Sequence, residues 1–218
     1  MGKIIWLIDE NENQLRTYIR KLKRLMPDSI TIRQIFPPYR QKEEYISILN
    51  DPSTSCIILD QRLKDTGIAT YTGIELAQYL RGVNKKLPIY ILTNFAEAED
   101  EFIGGKWSVE DIIPKDALND EEQLITITAR ILRRIDIHED ILAERTRRFD
   151  ELLKKSMKDE LSEAELQELK ALQFERIAPT LADEIVEQQA LDQIIKTNKD
   201  LIDLLNQISQ EDNKNVDS

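Results

Sequence analysis

Four short apolar runs of the sequence each lead into residues that can handle phosphate or a metal ion. Asp9 and Glu10 follow KIIWLI, Asp60 ends SCIILD, Thr93 ends LPIYILT, and Lys115 follows EDIIP. Carboxylates that lie together repel one another, and Mg²⁺ relieves that repulsion because it prefers oxygen ligands. A carboxylate can also attack phosphorus, while an ammonium and a hydroxyl stabilise the phosphoryl oxygens. If these residues meet, they predict phosphoryl-transfer chemistry.

The elements that must position these residues alternate between strand-like and helix-like runs through the first half of the chain. The runs IIWLI, CIILD and IYILT lack polar alternation, which is typical of central strands covered on both faces. Strands that alternate with helices predict an α/β fold with a doubly wound, five-stranded parallel sheet. The carboxyl ends of parallel strands share one edge, so we expect the chemical residues at a single rim.

The four strand-end motifs, taken in order, resemble the receiver domain of two-component response regulators. They read LIDEN, IILDQRL, ILTNF and IIPKD, and a helix that begins with glycine, GIELAQYLR, follows the second. The resemblance covers residues 1–136 and implies a flavodoxin-like fold for them.

The resemblance also implies a role for each strand-end residue. It implies that Asp60 is the phosphoacceptor and that Thr93 and Lys115 act with it in catalysis. It further implies that Mg²⁺ binds there, with a ligand set made of Asp9, Glu10, Asp60 and the backbone carbonyl of Arg62.

Three departures from the family pattern concern the surroundings of the acceptor. The loop between Asp60 and Gly73 is longer than is usual in the family, Ile112 stands where many members carry an aromatic switch residue, and Asp116 rather than proline follows Lys115. We therefore expect the phosphorylation chemistry to be retained and the coupling to an output to differ.

Composition and charge bound the remaining functions. The chain has 218 residues, 41% of them hydrophobic and 33% charged, which predicts a folded protein of two units with no membrane span. The opening MGKIIWLIDE reaches an acid too soon for a secretory signal, so we expect a cytoplasmic protein. The single cysteine, Cys56, lies in an apolar run and is predicted to be a core residue.

The net charge of −11 falls mostly on the second half of the chain. Residues 139–218 contain 11 basic and 20 acidic residues. Because cationic contacts supply most non-specific affinity for nucleic acid, we expect no DNA partner.

The second half is predicted to be helical. Neither glycine nor proline occurs between Asn119 and Ile177. Within it, residues 120–160 are either one helix that continues past the receiver-like domain or two helices with a break near Asp136. Ser162 and Glu165 have the spacing of a capping box, which predicts a further helix.

A last helix is predicted over residues 181–209, where apolar residues at alternating spacings of three and four form a short seam that includes Asn198. This seam indicates either a coiled-coil homodimer or an intrachain helical bundle. The predicted layout is a receiver-like domain at 1–136, a helical output or dimerisation region at 137–210 and a disordered tail at 211–218.

The resemblance implies a signalling switch in which a sensor histidine kinase or a phosphotransfer protein phosphorylates Asp60 and the helical region binds a downstream protein. Enzymatic activity would be limited to self-phosphorylation and autodephosphorylation. Two alternatives stay open, namely an unphosphorylated adaptor or dimeric scaffold, and a phosphate sink without an output. A further hypothesis makes the only histidine, His138, an internal phosphodonor to Asp60.

Overall fold

The structure is a computed structural model that describes residues 2–97, 99–158 and 160–177, without the side chains of residues 99 and 101. The helix predicted at 181–209, its seam and the tail at 211–218 lie outside the described residues.

Five parallel strands form one sheet with the order β2-β1-β3-β4-β5. This order is that of a flavodoxin-like doubly wound sheet, whose switch point lies between β1 and β3. The predicted fold class is therefore confirmed. The strands are β1 (Lys3–Ile8), β2 (Ile30–Ile35), β3 (Thr54–Asp60), β4 (Ile89–Thr93) and β5 (Asp111–Pro114).

Helices cover both faces of the sheet. Side chains alternate between the faces of a strand, and those of Ile5 and Leu7 in β1 belong to a core shared with α1 and α4. On the other face, α3 buries Ile74, Leu76 and Leu80. The helices are α1 (Glu12–Lys23), α2 (Ile46–Leu49), α3 (Gly73–Val83), α4 (Glu121–Ser156) and α5, which covers residues 163–177.

The alternation of strand-like and helix-like runs predicts a helix between β4 and β5, but the described residues of this segment, 94–110, contain no α-helix. Its described residues form only two 3₁₀ turns, Glu99–Phe102 and Lys106–Ser108. Gly104 has φ +80°, which ends the first turn region, and a Cβ on Gly105 would lie 2.3 Å from Cγ1 of Ile74. The two glycines thus favour a sharp turn held close to α3 over a continuous helix.

Helix α4 runs without a break through Asp136, so the single-helix alternative is correct for this segment. Lys3 at the start of β1 pairs with Asp136 and Glu139 at 3.1 and 2.8 Å. The predicted capping box is confirmed, since Ser162 N donates to Glu165 and Glu165 N donates to Ser162 Oγ.

Two predictions about single features can also be compared with the described residues. Cys56 is buried, as predicted for a core residue. Among the described helices, none combines the length and the apolar character that a membrane crossing requires.

Candidate functional site

The carboxyl edge of the sheet brings together residues from β1, β3 and β5. Lys115, directly after β5, lies with its Nζ 2.7 Å from Oδ1 of Asp60 and 2.8 Å from Oδ2 of Asp9. All three side chains are at most 5% exposed. The predicted meeting of these strand ends is therefore present in the structure.

Short backbone turns fix the two aspartates. The Asn11 N–H donates to Oδ1 of Asp9 at 2.8 Å, and the Arg62 N–H donates to Oδ2 of Asp60 at 2.7 Å. Each carboxylate thus has one oxygen held by the backbone two residues later and the other held by Lys115. These contacts fix the orientation of both carboxylates.

Thr93 reaches the same edge but makes a different contact. Its side chain is 1% exposed, and its Oγ1 accepts from the Phe95 N–H at 3.1 Å. The Lys115 N–H donates to the Thr93 carbonyl at 2.8 Å, so the strand ends that carry these residues are adjacent.

Three carboxylates form a cluster that fits a divalent cation. Oxygen atoms of Asp9, Glu10 and Asp60 lie within 4.8 Å of one another. Glu10 Oε2 is buried and has no hydrogen-bond partner among the described residues. The Arg62 carbonyl accepts from the Asp65 N–H at 3.0 Å. Three of the four predicted Mg²⁺ ligands, Asp9, Glu10 and Asp60, therefore lie together.

The pKa values in the cluster reflect three carboxylates around the single ammonium of Lys115. Burial, a hydrogen bond to Asp60 and the negative charges of Asp60 and Asp9 raise the pKa of Glu10 to about 8. Burial and the Asp60 charge also raise the pKa of Asp9, against the opposing effect of Lys115. Burial alone would lower the pKa of Lys115, but the two aspartates outweigh it and raise that pKa. The ammonium is thus charged, and a cation at this site would displace the proton from Glu10.

Gly73, at the start of α3, lies against the end of the acceptor strand, a role that the sequence motif alone does not assign. Its N–H donates to the Gln61 carbonyl at 2.8 Å, and an added Cβ would lie 2.1 Å from the Asp60 carbonyl oxygen. Only glycine allows α3 to approach the acceptor strand this closely. The glycine that opens the GIELAQYLR run was the available sequence signal.

Gln14 is a second residue that sequence reasoning missed. Its Oε1 accepts from Lys115 Nζ at 2.8 Å, and the ring of Tyr18, one turn further along α1, lies with its centroid 5.7 Å from the same atom. Both residues are on a helix, so the search for chemistry at strand ends could not find them.

The long loop after Asp60, residues 61–72, is attached on the β2 side of the sheet. Tyr71 is 2% exposed, and its hydroxyl donates to the Tyr39 carbonyl at 2.6 Å. Nearer the acceptor, the Arg62 guanidinium lies 3.4 Å from the ring centroid of Phe95. The loop therefore contacts the connection after β2 at one end and the loop after β4 at the other.

Comparison with solved structures gives a set of similar folds. The receiver domain of non-phosphorylated HemR from Leptospira biflexa is 22% identical, with 62% of this chain and 94% of that chain covered and a TM-score of 0.44. The response regulator TrrA from Thermotoga maritima, in complex with Mg²⁺ and BeF, is 15% identical, with 61% and 98% covered and a TM-score of 0.45. The likeness is to receiver domains. It covers about 60% of this chain, while the fold assignment depends on the strand order.

A third similar structure is the phosphorylated cyanobacterial phytochrome response regulator RcpA, which is 19% identical, with 60% of this chain and 91% of that chain covered and a TM-score of 0.43. Neither a protein-family model nor a curated protein matches the chain. At these identities the likeness describes the fold alone.

His138 lies far from the acceptor. It neighbours Asp136 and Glu139, which pair with Lys3 at the amino end of β1, whereas Asp60 is at the carboxyl end of β3. The imidazole is 4% exposed. The hypothesis of direct transfer from His138 to Asp60 within one chain is therefore wrong on geometric grounds.

Proposed function

We propose that the chain is a response-regulator-like signalling protein that accepts a phosphoryl group on Asp60. The observation that carries the proposal is the buried cluster in which Lys115 Nζ lies 2.7 Å from Asp60 Oδ1 and three carboxylates meet within 4.8 Å. Stability alone does not call for such a cluster, because buried like charges are costly and an apolar replacement is often as stable.

We expect the donor to be a sensor histidine kinase or a phosphotransfer protein. A carboxylate oxygen of Asp60 attacks the phosphorus of a phosphohistidine, and a P–O bond forms as the P–N bond breaks. The imidazole nitrogen keeps the electron pair and takes up a proton. Lys115 then donates to a phosphoryl oxygen in place of the Asp60 oxygen, and the hydroxyl of Thr93 is available at the adjacent strand end.

Mg²⁺ is the proposed cofactor, with Asp9, Glu10, Asp60 and the backbone carbonyl of Arg62 as its protein ligands. When bound, it would neutralise the carboxylates and the phosphoryl oxygens and so reduce the repulsion between them. The unpartnered, buried Oε2 of Glu10 supports this assignment, since a buried carboxylate oxygen without a hydrogen bond is otherwise unfavourable.

The proposed output is a protein–protein interaction through the helical region at 137–210, with homodimerisation through 181–209 as one form of it. Helix α4 begins at Glu121, close after Lys115 in the chain, and runs unbroken to Ser156. A change at Lys115 is therefore linked to the helical region by a continuous helix. A cytoplasmic location and activity limited to self-phosphorylation and autodephosphorylation complete the proposal.

The decisive experiment is phosphorylation with Mg²⁺ and a small acyl phosphate, followed by intact mass measurement. We expect an adduct of about 80 Da that is absent in Asp60→Asn. The matched control is Asp65→Asn, an exposed acid in the adjacent loop, which should keep the adduct. Absence of an adduct with small donors and with a phosphorylated phosphotransfer domain would contradict the proposal.

A second candidate function is an unphosphorylated adaptor or scaffold. It is favoured by the pairing of both Asp60 oxygens, one with Lys115 and one with the Arg62 N–H, because the acceptor carboxylate itself is already satisfied without a ligand. This candidate predicts that Asp60→Asn leaves partner binding intact and that deletion of residues 180–218 abolishes association. A phosphate sink would instead form the adduct and lose it rapidly without a change in oligomeric state.

A further inference from the structure

The Lys115 ammonium uses all three of its hydrogen atoms. Nζ lies 2.7 Å from Asp60 Oδ1, 2.8 Å from Asp9 Oδ2 and 2.8 Å from Gln14 Oε1. A lysine ammonium has three donors and no acceptor, so these contacts saturate it. Gln14 is the neutral member of the three.

The structure also shows how Gln14 is itself held. Its backbone N–H donates to the side chain of Asn11, the N-cap of α1, at 3.1 Å. The cap places Gln14 in the first turn of the helix, directly after the strand that carries Asp9. The ring of Tyr18, one turn later in α1, lies beside the same ammonium.

We propose that Gln14 is a positioning residue that holds the Lys115 ammonium at the acceptor during phosphoryl transfer. This inference rests on the proposed phosphorylation of Asp60.

Gln14 differs from the other two acceptors of Lys115, Asp9 and Asp60, because their carboxylates change during phosphoryl transfer. A cation bound to Asp9 and Asp60 would compete for their oxygens, and the oxygen of Asp60 that forms the bond to phosphorus loses its charge. The Gln14 amide oxygen takes part in neither event. It can therefore keep the ammonium in place while the carboxylate contacts weaken, and because it is neutral it adds no charge that would repel an anionic donor.

The test compares phosphorylation rates of wild type and Gln14→Leu with a small acyl phosphate and Mg²⁺. We expect the maximal rate to fall about tenfold, less than the ~10²-fold that a 1 Å misplacement can cost. The half-saturating concentrations of donor and Mg²⁺ should change less than about twofold, because neither contact involves Gln14. If the substitution disrupted the whole site, the maximal rate and the half-saturating concentrations of donor and Mg²⁺ would all change, which would contradict a positioning role.

The chain offers a matched control in Gln123→Leu. Gln123 is the third residue of α4, as Gln14 is of α1, and its backbone N–H donates to the N-cap Asp120 in the same way. This variant should phosphorylate at the wild-type rate. If Gln14→Leu does not fold, Gln14→Asn replaces it, since the shorter amide keeps the polarity and withdraws the oxygen from Lys115.

A double-mutant cycle with Lys115→Met decides whether Gln14 acts through the ammonium. We expect Gln14→Leu to cause no further loss of rate once Lys115 is absent. An equal loss in both backgrounds, or a wild-type rate in Gln14→Leu, overturns the inference alone. A wild-type protein that no donor phosphorylates overturns the proposed function instead, so the two failures are distinguishable.

Discussion

The carboxyl edge of the sheet, here called the rim, and the helical extension both contain pairs of basic and acidic side chains, but the rim buries its pairs and the extension exposes them. At the rim, the Lys115 and Asp60 side chains are 4% and 5% exposed. In the extension, formed by α4 beyond Asp136 and by α5, Arg148 and Glu168 are 33% and 42% exposed. Buried charges are costly and specifically oriented, whereas exposed pairs contribute little and tolerate change. The comparison predicts that substitutions at the rim have large effects and that ion-pair substitutions in the extension have small ones.

Few apolar side chains of the extension are buried. Leu152 in α4 is fully buried and Leu169 in α5 is 9% exposed, while Leu153 and Phe174 are 43% and 62% exposed. With so few apolar side chains buried, these helices are expected to open at a lower free energy than the sheet.

The largest expected effect at the rim is that of Gly73→Ala. The new Cβ would lie 2.1 Å from the Asp60 carbonyl oxygen, so either α3 or the end of β3 must shift. We expect the free energy of unfolding to fall by about 3 kcal/mol, as for overpacking of a core. Chemical denaturation measures this loss.

The control lies in the same helix. Gly82 has open space around its Cα and is exposed, so Gly82→Ala should raise the free energy of unfolding by about 0.5–1 kcal/mol. Equal behaviour of the two variants would show that α3 does not press against the acceptor strand.

The next effect is the pH dependence of Glu10→Gln in the absence of divalent cations. The pKa of Glu10 is raised from 4.5 to about 8, so in that range the folded protein binds more protons than the unfolded chain. The stability of the wild type therefore falls as pH rises through this window, whereas glutamine does not titrate. At pH 8 we expect the variant to be more stable by about 2 kcal/mol, after allowance for the partial exposure of the carboxyl.

Added Mg²⁺ should reverse this order, because the ion stabilises the folded wild type and glutamine is a weaker ligand. Parallel stability curves for the two proteins across the pH range would contradict the assigned burial of Glu10.

The contrast between the rim and the β4–β5 connection explains what the sequence could predict. Asp9, Asp60, Thr93 and Lys115 each stand where an apolar run ends, and parallel topology carries all strand ends to one edge. Gln14 contributes through a helix cap, and its contact with Lys115 spans a long separation in sequence that no local pattern encodes. The sequence therefore could not predict residues such as Gln14, whose role depends on a contact made in the tertiary structure.

The lack of an α-helix among the described residues of 94–110 has a local cause in the sequence. The stretch AEAEDEFIGG places four acids within five residues, Glu97 and Glu99–Glu101, and ends in two glycines. Like charges at helical spacing and terminal glycines both disfavour a helix. The acids after β4 favour a helix by propensity, but their like charges and the close approach of Gly105 to Ile74 both disfavour one.

A smaller effect is expected at the junction between the sheet and the extension, where His138 is buried. Burial lowers its pKa from 6.5, the charges of Arg134, Arg145 and Arg81 act in the same direction, and Glu139 opposes them. Below about pH 6.5 the unfolded chain binds the extra proton, so stability falls as pH falls, opposite to the trend at Glu10. We expect His138→Leu to remove about 1 kcal/mol of this loss between pH 7 and pH 5.

His138→Leu should break no hydrogen bond of Nδ1, since that atom has no partner in the described part of the chain. Because His138 is the only histidine, its titration can be followed directly by NMR. A pKa at or above the ordinary value would contradict the buried placement.

The smallest expected effect is in the extension, at the pair formed by Arg148 and Glu168. Arg148 Nε and Nη2 donate to the two Glu168 oxygens at 2.9 and 2.7 Å, a bidentate geometry that favours the pair. Both side chains are still about one third or more exposed, so solvent and salt screen them. A double-mutant cycle with Arg148→Ala and Glu168→Ala should give a coupling below about 1 kcal/mol that shrinks in high salt.

For comparison within the extension, Leu152→Ala should lower the free energy of unfolding by about 2–4 kcal/mol, because removal of a fully buried side chain leaves a cavity. A coupling larger than the Leu152 loss would mean that ion pairs hold the extension, and the contrast with the rim would then fail.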